Sequence, residues 1–391
     1  MNILFVASDN NYTSGAFLSM VKLGQLLVSE HQVNTFVVLP NEGDGDRLLM
    51  EAGIPFEIVY SRNWVVDIEE GKTKEREKRK AFELLGNEGA IDRIHEIIIE
   101  REIDILHINT SYSYVGACAA IRANIPFVWH IREFLEEDQH RKIWDREKGY
   151  QLMQRADAIV TISNSIYQKY VNLLVPEKMH IIHNGIDEKL FYNPDKKIFQ
   201  EPIVRFGIVG GVVPHKGQEE LLKACGMLKR SGFSDFELKI VGKGKGQYID
   251  YLKNLVMKED LQEHVIFVGP SDDIPSVLND MDMLFVCSKN EAFGRITVEG
   301  MMAGCLVIGA DTAGTTEILK NGKNGYLYKH GDATDLVEKI INALGNRAEA
   351  ECIRKIGQKE ALNCYLASKN AKKICDMYKD IVGENLRGSE K

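Results

Sequence analysis

Short apolar runs alternate along almost the whole chain with longer segments whose apolar residues recur every three to four positions. The runs are 3–7, 34–39, 56–60, 104–108, 126–130, 158–162 and 180–182, then, after an interruption, 204–209, 237–241, 265–268, 283–287, 306–309 and 326–328. Runs that are apolar throughout predict strands covered on both faces, and strands separated by helix-period segments predict βαβ units in parallel sheets. The interruption starts at Asn184-Gly185 and passes through Pro194, Lys196-Lys197 and Pro202, a composition that predicts a linker over 185–203. The pattern thus predicts an α/β protein of two doubly wound, Rossmann-like domains, 1–184 and 204–369. No short-period repeat or low-complexity tract interrupts it.

A length of 391 residues agrees with two cores. The net charge of −8 argues against a nucleic-acid partner, since such proteins carry a basic face. Seven cysteines without a CxxC pair, two of them (Cys287, Cys305) inside apolar runs, point to a reducing cytoplasm and no structural zinc. The N-terminus lacks the basic flank and length of a signal peptide. No apolar run approaches the roughly 18 residues that span a bilayer, so any membrane contact is expected to be peripheral, at the inner face.

In open parallel sheets, ligands bind beyond the carboxyl ends of the strands. The segments following the first-domain strands are Ser8 to Gly15, Asn109-Thr110-Ser111, His130-Ile131-Arg132 and Ser163-Asn164. In the second domain they are Gly210 to Gly217, Gly242-Lys243-Gly244, Gly269-Pro270, Ser288 to Arg295 and Asp311 to Thr315. The glycine density of the second set predicts a nucleotide site there.

Within that set, Glu291-Ala292-Phe293-Gly294-Arg295-Ile296-Thr297-Val298-Glu299 sets two carboxylates across a glycine hinge at a helix start. The first backbone N–H groups of a helix have no partner within it and attract anions, phosphate above all. Carboxylates flanking a phosphate suit a ligand with hydroxyls on both sides of a phosphate bridge, as in a nucleotide sugar. Gly210-Gly211 with Lys216-Gly217 reads as a phosphate loop or as an ordinary βα turn; it is neither a Walker loop nor a GxGxxG fingerprint. His130, at a strand end, could hydrogen-bond a sugar hydroxyl or hold a loop carbonyl. Asp44-x-Asp46 and Asp280-x-Asp282 spell DxD, but neither sits where a metal would meet phosphates, and no metal is expected. Lys72 to Lys80 carries six basic residues and reads as a solvated helix face or an anionic-surface contact.

These residues resemble a family. Glu291-x7-Glu299 in EAFGRITVEGMMAG, followed by Val307-Ile308 and Gly314-Thr315-Thr316-Glu317, is similar to the retaining family-4 glycosyltransferases. So are Lys216-Gly217, Ile182-His183-Asn184-Gly185-Ile186-Asp187 and Val160-Thr161-Ile162-Ser163-Asn164-Ser165. The resemblance covers about residues 1–385. It implies the GT-B fold, with two Rossmann-like domains facing a cleft and a final helix, about 370–385, packing back on the first.

It also implies roles. Glu299 would grip the donor ribose, Glu291 would lie near the donor sugar, and amides of Phe293, Gly294, Arg295 and Ile296 would contact sugar and diphosphate. Lys216 would neutralise the diphosphate, with Gly210, Gly211 and Gly242 in the donor loops. His130 would lie near the anomeric carbon, and Gly15 would let phosphate and acceptor approach. Family members commonly carry an arginine where this chain has Gly211, which leaves Arg132, Arg205 and Arg295 as substitutes. Asn109 replaces a common histidine. The expected function is metal-independent, cofactor-free transfer from a nucleoside diphosphate sugar to a saccharide or lipid-linked saccharide, as in cell-surface polysaccharide assembly. A nucleotide-sugar epimerase, a phosphorylase or a non-catalytic nucleotide-sugar-binding protein are the other readings.

Overall fold

Residues 1–68 and 73–389 are described in the computed structural model, and they fall into two units, Met1–Gly185 with the segment from Ala367 onward, and Ile186–Leu366. The strands of the first unit are β1 (Asn2–Val6), β2 (Asn34–Leu39), β3 (Phe56–Ile58), β4 (Val65–Asp67), β5 (Ile105–Asn109), β6 (Phe127–Ile131), β7 (Arg141–Ile143), β8 (Ala158–Thr161) and β9 (Met179–Ile181). Seven of them form a parallel sheet in the order β3-β2-β1-β5-β6-β8-β9. Growth runs outward from β1 in one direction and then from β5 in the other. The carboxyl ends of β1 and β5 therefore flank the switch point, where a crevice opens.

One face of this sheet presents Ile3, Phe5, Ile105, Val128, Ala158 and Val160 to two helices. The helix Gly15–His31 buries Phe17, Met20, Leu23 and Leu27 against them, a three-to-four spacing. The C-terminal helix Ala367–Ser389 does the same with Ala371, Ile374 and Tyr378. Its start is pinned by Asn370 Nδ2, which donates to the His183 carbonyl at 2.7 Å, and by Gly185, where a Cβ would strike the Ala367 backbone.

The second unit repeats the design with β10 (Val204–Val209), β11 (Phe236–Val241), β12 (Val265–Gly269), β13 (Met283–Val286), β14 (Leu306–Ala310) and β15 (Tyr326–Tyr328). The parallel order is β12-β11-β10-β13-β14-β15, so its switch point lies between β10 and β13.

Two expectations need correction. Residues 186–203 are no free linker: they include the helix Glu188–Phe191, and Ile198 and Phe199 are buried in the second core. Phe199 N donates to Asp282 Oδ1 at 2.8 Å. The stretch is mostly polar, but Ile186 and Phe191 are buried as well, and these scattered apolar anchors hold it. The other is an omission: β4 and β7 form an antiparallel pair with register Val65↔Ile143. Three-residue strands separated by more than 70 positions leave too little periodicity to be read.

Candidate active site

In the second unit the glycine loops after β10 and β11 interlock. A Cβ on Gly242 would overlap the Gly210 carbonyl oxygen, and both glycines hold positive φ, 147° and 138°. Val212 bridges Gly244, and Gln218 Nε2 donates to the Gly211 carbonyl at 2.9 Å. The turn Pro214–Lys216 ends at Gly217 (φ 75°), which lies so close to the Cys287 carbonyl after β13 that no side chain fits. Close approach of two backbones is what glycine permits there.

That approach brings Lys216 to Glu291. The amine lies 2.5 Å from Glu291 Oε1, which also accepts from Ser288 Oγ at 2.7 Å. Burial pushes the Glu291 carboxyl up, but the Lys216 charge and these hydrogen bonds outweigh it and hold it below the usual carboxylate range. The loop carrying Glu291 is fixed from β14: Gly314 N donates to the Glu291 carbonyl at 2.8 Å and Thr312 Oγ1 to the Ser288 carbonyl at 2.9 Å. Gly294 (φ 88°) turns the chain into the helix Arg295–Ala303. On its first turns Arg295 Nη2 meets Glu299 Oε1 at 3.0 Å, and Glu299 is nearly buried. Phe293 turns its ring into the core, edge-on to Tyr365, which leaves only its backbone for a ligand. Ile296 follows in the same turn. Lys216, Glu291, Glu299, Arg295 and the glycine loops thus gather at one switch point, with a helix N-terminus between the carboxylates. Ser288, from a strand-end segment already marked by the sequence, belongs to the same cluster, as does Thr297, whose buried Oγ1 has no partner among the described residues and which carried no sequence signal of its own.

In the first unit His130 is fully buried at the end of β6. Its Nδ1 lies 3.1 Å from His107 Nε2 and 3.1 Å from Arg132 Nη2. Arg132 also donates through Nε to Asn109 Oδ1 at 2.7 Å and through Nη1 to Asn184 Oδ1 at 2.5 Å. Asn109 Nδ2 in turn donates to the Ala16 carbonyl at 3.2 Å, tying the helix start at Gly15 to this knot. This gives Asn109 a reason: an amide can accept from the arginine and donate to the helix start at once. His107 and Tyr378, 23 and 248 positions from His130, were missed because nothing local marks them. Thr110, the next residue after β5, has φ 109°, a strained setting for a β-branched residue. It is held by its N–H to the His130 carbonyl and by Trp129 Nε1 to its own carbonyl.

A cavity of about 410 Å³ opens in the same unit, lined by Ser8, Asn41, Ser61, Arg62, Lys80 and Ser113 among others. Its walls follow β1, β2, β3 and β5, so it too lies at strand carboxyl ends.

Several candidates drop out. Arg205 sits near the start of β10, away from the loops, and pairs with Asp280 at 3.0 Å. Asp280 also meets Lys239, while both Asp282 oxygens accept backbone N–H groups, so this DxD is structural. Asp44 accepts from Tyr12 N at 2.8 Å. Among the described residues no three His, Cys, Asp or Glu side chains cluster as metal ligands. Lys72 lies outside the described residues; of the helix Thr73–Leu84, Lys80 pairs with Glu83 and Arg76 with Asp67. Among the described residues no helix is long and apolar enough to cross a membrane.

Residues 48–190 match the family model "Glycosyltransferase Family 4", and residues 193–360 match "Glycosyl transferases group 1". An uncharacterized glycosyltransferase of Methanocaldococcus jannaschii is 29% identical over 264 residues, 65% of this chain and 69% of the relative. A capsular polysaccharide biosynthesis glycosyltransferase of Staphylococcus aureus is 24% identical over 244 residues, 59% of this chain and 63% of the relative. Anabaena HepE, solved in complex with UDP-glucose, superposes with a TM-score of 0.78 at 21% identity, covering 97% of this chain and all of that one. At that identity the likeness carries the fold, and it is the GT-B fold. With both family models matched and this fold, the chain belongs to the family-4-type glycosyltransferases.

Proposed function

We propose that this protein is a retaining, metal-independent hexosyltransferase that moves a sugar from a nucleoside diphosphate sugar to an acceptor hydroxyl in cell-surface polysaccharide assembly. The observation that carries the reading is the pairing of Lys216 with Glu291 and of Arg295 with Glu299 around the N-terminus of the helix Arg295–Ala303. As the glycosidic bond breaks, negative charge grows on the leaving diphosphate. Lys216 and the helix N-terminus are placed to stabilise it, and Arg295 is the remaining arginine of the second unit able to supply the cation missing at Gly211. Glu299 takes the ribose hydroxyls. Glu291, held by Lys216 and Ser288, orients the sugar rather than attacking it. Retention then follows from acceptor attack on the face the diphosphate leaves, with that phosphate taking the acceptor's proton. His130 belongs near the reacting carbon. The acceptor is assigned to the first unit, where the hydroxyls and amides around the 410 Å³ cavity suit a saccharide. A lipid-linked acceptor, with the helix Thr73–Leu84 against an anionic membrane, is part of this reading.

The test is a thermal-shift panel of nucleotide sugars, since a donor at 100 times its Kd stabilises by about 2.7 kcal/mol. The stabilising donor is then assayed with saccharide acceptors, and the product's anomeric configuration is read by NMR. Lys216→Ala should lower turnover about 10²–10³-fold, the scale of one lost stabilising donor. An inverted product would refute retention, and wild-type turnover in Lys216→Ala would remove Lys216 from the diphosphate site. Isomerised donor without acceptor would identify an epimerase instead.

A further inference from the structure

The buried knot around His130 admits one arrangement of protons. A guanidinium has only donors. Arg132 Nη2 therefore donates to His130 Nδ1, across 3.1 Å, and that nitrogen must carry its lone pair. His107 Nε2, also 3.1 Å from the same atom, must then be a donor too, the two sharing one lone pair. A neutral His107 with its proton on Nε2 has a bare Nδ1, and the Tyr378 hydroxyl, 2.5 Å away, donates into it. His130 keeps its own proton on Nε2. This N–H is buried and has no partner among the described residues.

The opposite assignment fails. Placing the proton on His130 Nδ1 would set N–H against N–H at the Arg132 contact, whichever way His107 is protonated, because a guanidinium cannot accept. Doubly protonating the ring does the same and adds a second cation beside Arg132. All four side chains are buried, Tyr378 and both histidines completely, so water does not rescue either alternative. The geometry is also over-determined. His107 is on β5 and His130 on the neighbouring β6, in fixed register, while Arg132 is held at two further points by Asn109 and Asn184.

We propose that His107 and Tyr378 are positioning residues which, with Arg132, lock His130 as the Nε2–H tautomer, so that it acts only as a hydrogen-bond donor to an oxygen of the transferred sugar and not as a base. Tyr378 reaches this knot from the helix Ala367–Ser389, so the last segment of the chain completes a device whose other members lie within residues 107–184. The proposal rests on the function proposed above only for what His130 touches; the lock itself does not.

The experiment uses the full chain labelled with ¹⁵N-histidine, in which two-bond ¹H–¹⁵N spectra report each ring's tautomer. The wild-type protein at about pH 7 should show His130 and His107 as neutral Nε2–H rings. In Tyr378→Phe, His107 should become a mixture of tautomers, and kcat should fall about tenfold with donor KM within about twofold, the scale of one lost hydrogen bond. A His130 ring protonated on Nδ1, or doubly protonated, would overturn the lock without bearing on glycosyl transfer. An intact lock with transfer unaffected by His130→Ala would leave the lock standing and remove His130 from the sugar. A lower melting temperature in Tyr378→Phe, with tautomers and kcat unchanged, would make Tyr378 merely structural and overturn its part.

Discussion

At the scale of single residues, chemistry and exposure decide what each site group can do. Glu291 and Lys216, 75 positions apart, meet at 2.5 Å because the Gly217 turn lies against the end of β13. Their residue types were legible from the strand-end pattern; their salt bridge was not, since pairing across 75 positions is set by the sheet. Gly211 is the clearest departure from the family pattern, and its surroundings are open: a Cβ there would meet only Val213, at 3.8 Å. Gly211→Arg should therefore fold normally. A charge-assisted contact is worth about 1.5–3 kcal/mol, so nucleoside diphosphate affinity should rise by roughly tenfold or more. Calorimetry showing unchanged affinity in a folded variant would mean that Arg295 already fills the role.

At the scale of elements, the loops carry strain that the strands around them hold in place. Gly217 adopts φ 75° and leaves no space for a side chain against the Cys287 carbonyl. Gly217→Ala must displace either that turn or the end of β13. We expect a loss of at least about 1–3 kcal/mol, the cost of forcing an L-residue into such backbone, before any clash is added. Urea denaturation followed by circular dichroism measures it, and an unchanged midpoint would show that the turn relaxes freely. The strands themselves were read from the sequence almost throughout, because a parallel sheet buries both faces and leaves continuous apolar runs. The β4–β7 pair and the segment 186–203 were not, because their anchoring rests on a few residues whose partners are remote in sequence.

At the scale of the whole molecule, buried titratable groups tie stability to pH. Burial and the Arg132 charge push His107 and His130 well below the usual histidine range, and burial lowers His180. In the unfolded chain these rings take up protons as pH falls below about 6.5. The unfolded state then binds more protons than the folded one, so stability is full above that value and is lost as pH falls beneath it. The three tryptophans, Trp64, Trp129 and Trp144, all belong to the first unit, so tryptophan fluorescence reports on the unit that holds these histidines. Its melting temperature should decline as pH falls from about 6.5 to 5.5, against the smaller opposite pull of the buried Glu133 carboxyl, which burial pushes up; in a Glu133→Gln background, a flat profile to pH 5.5 would contradict the neutral buried pair. The sequence by itself determined the two α/β units, the strand ends where the candidate site residues lie and most of the residues gathered there, because burial on both sheet faces and glycine-dependent loops leave local marks. Only the tertiary structure decided which side chains meet. The Lys216–Glu291 pair, the Asn109–Arg132–Asn184 clamp and the proton on His130 all depend on strand order and on a helix more than 240 residues away. Hydrogen bonding acts over about 3 Å in space, and the chain carries no record of distance in space except through its fold.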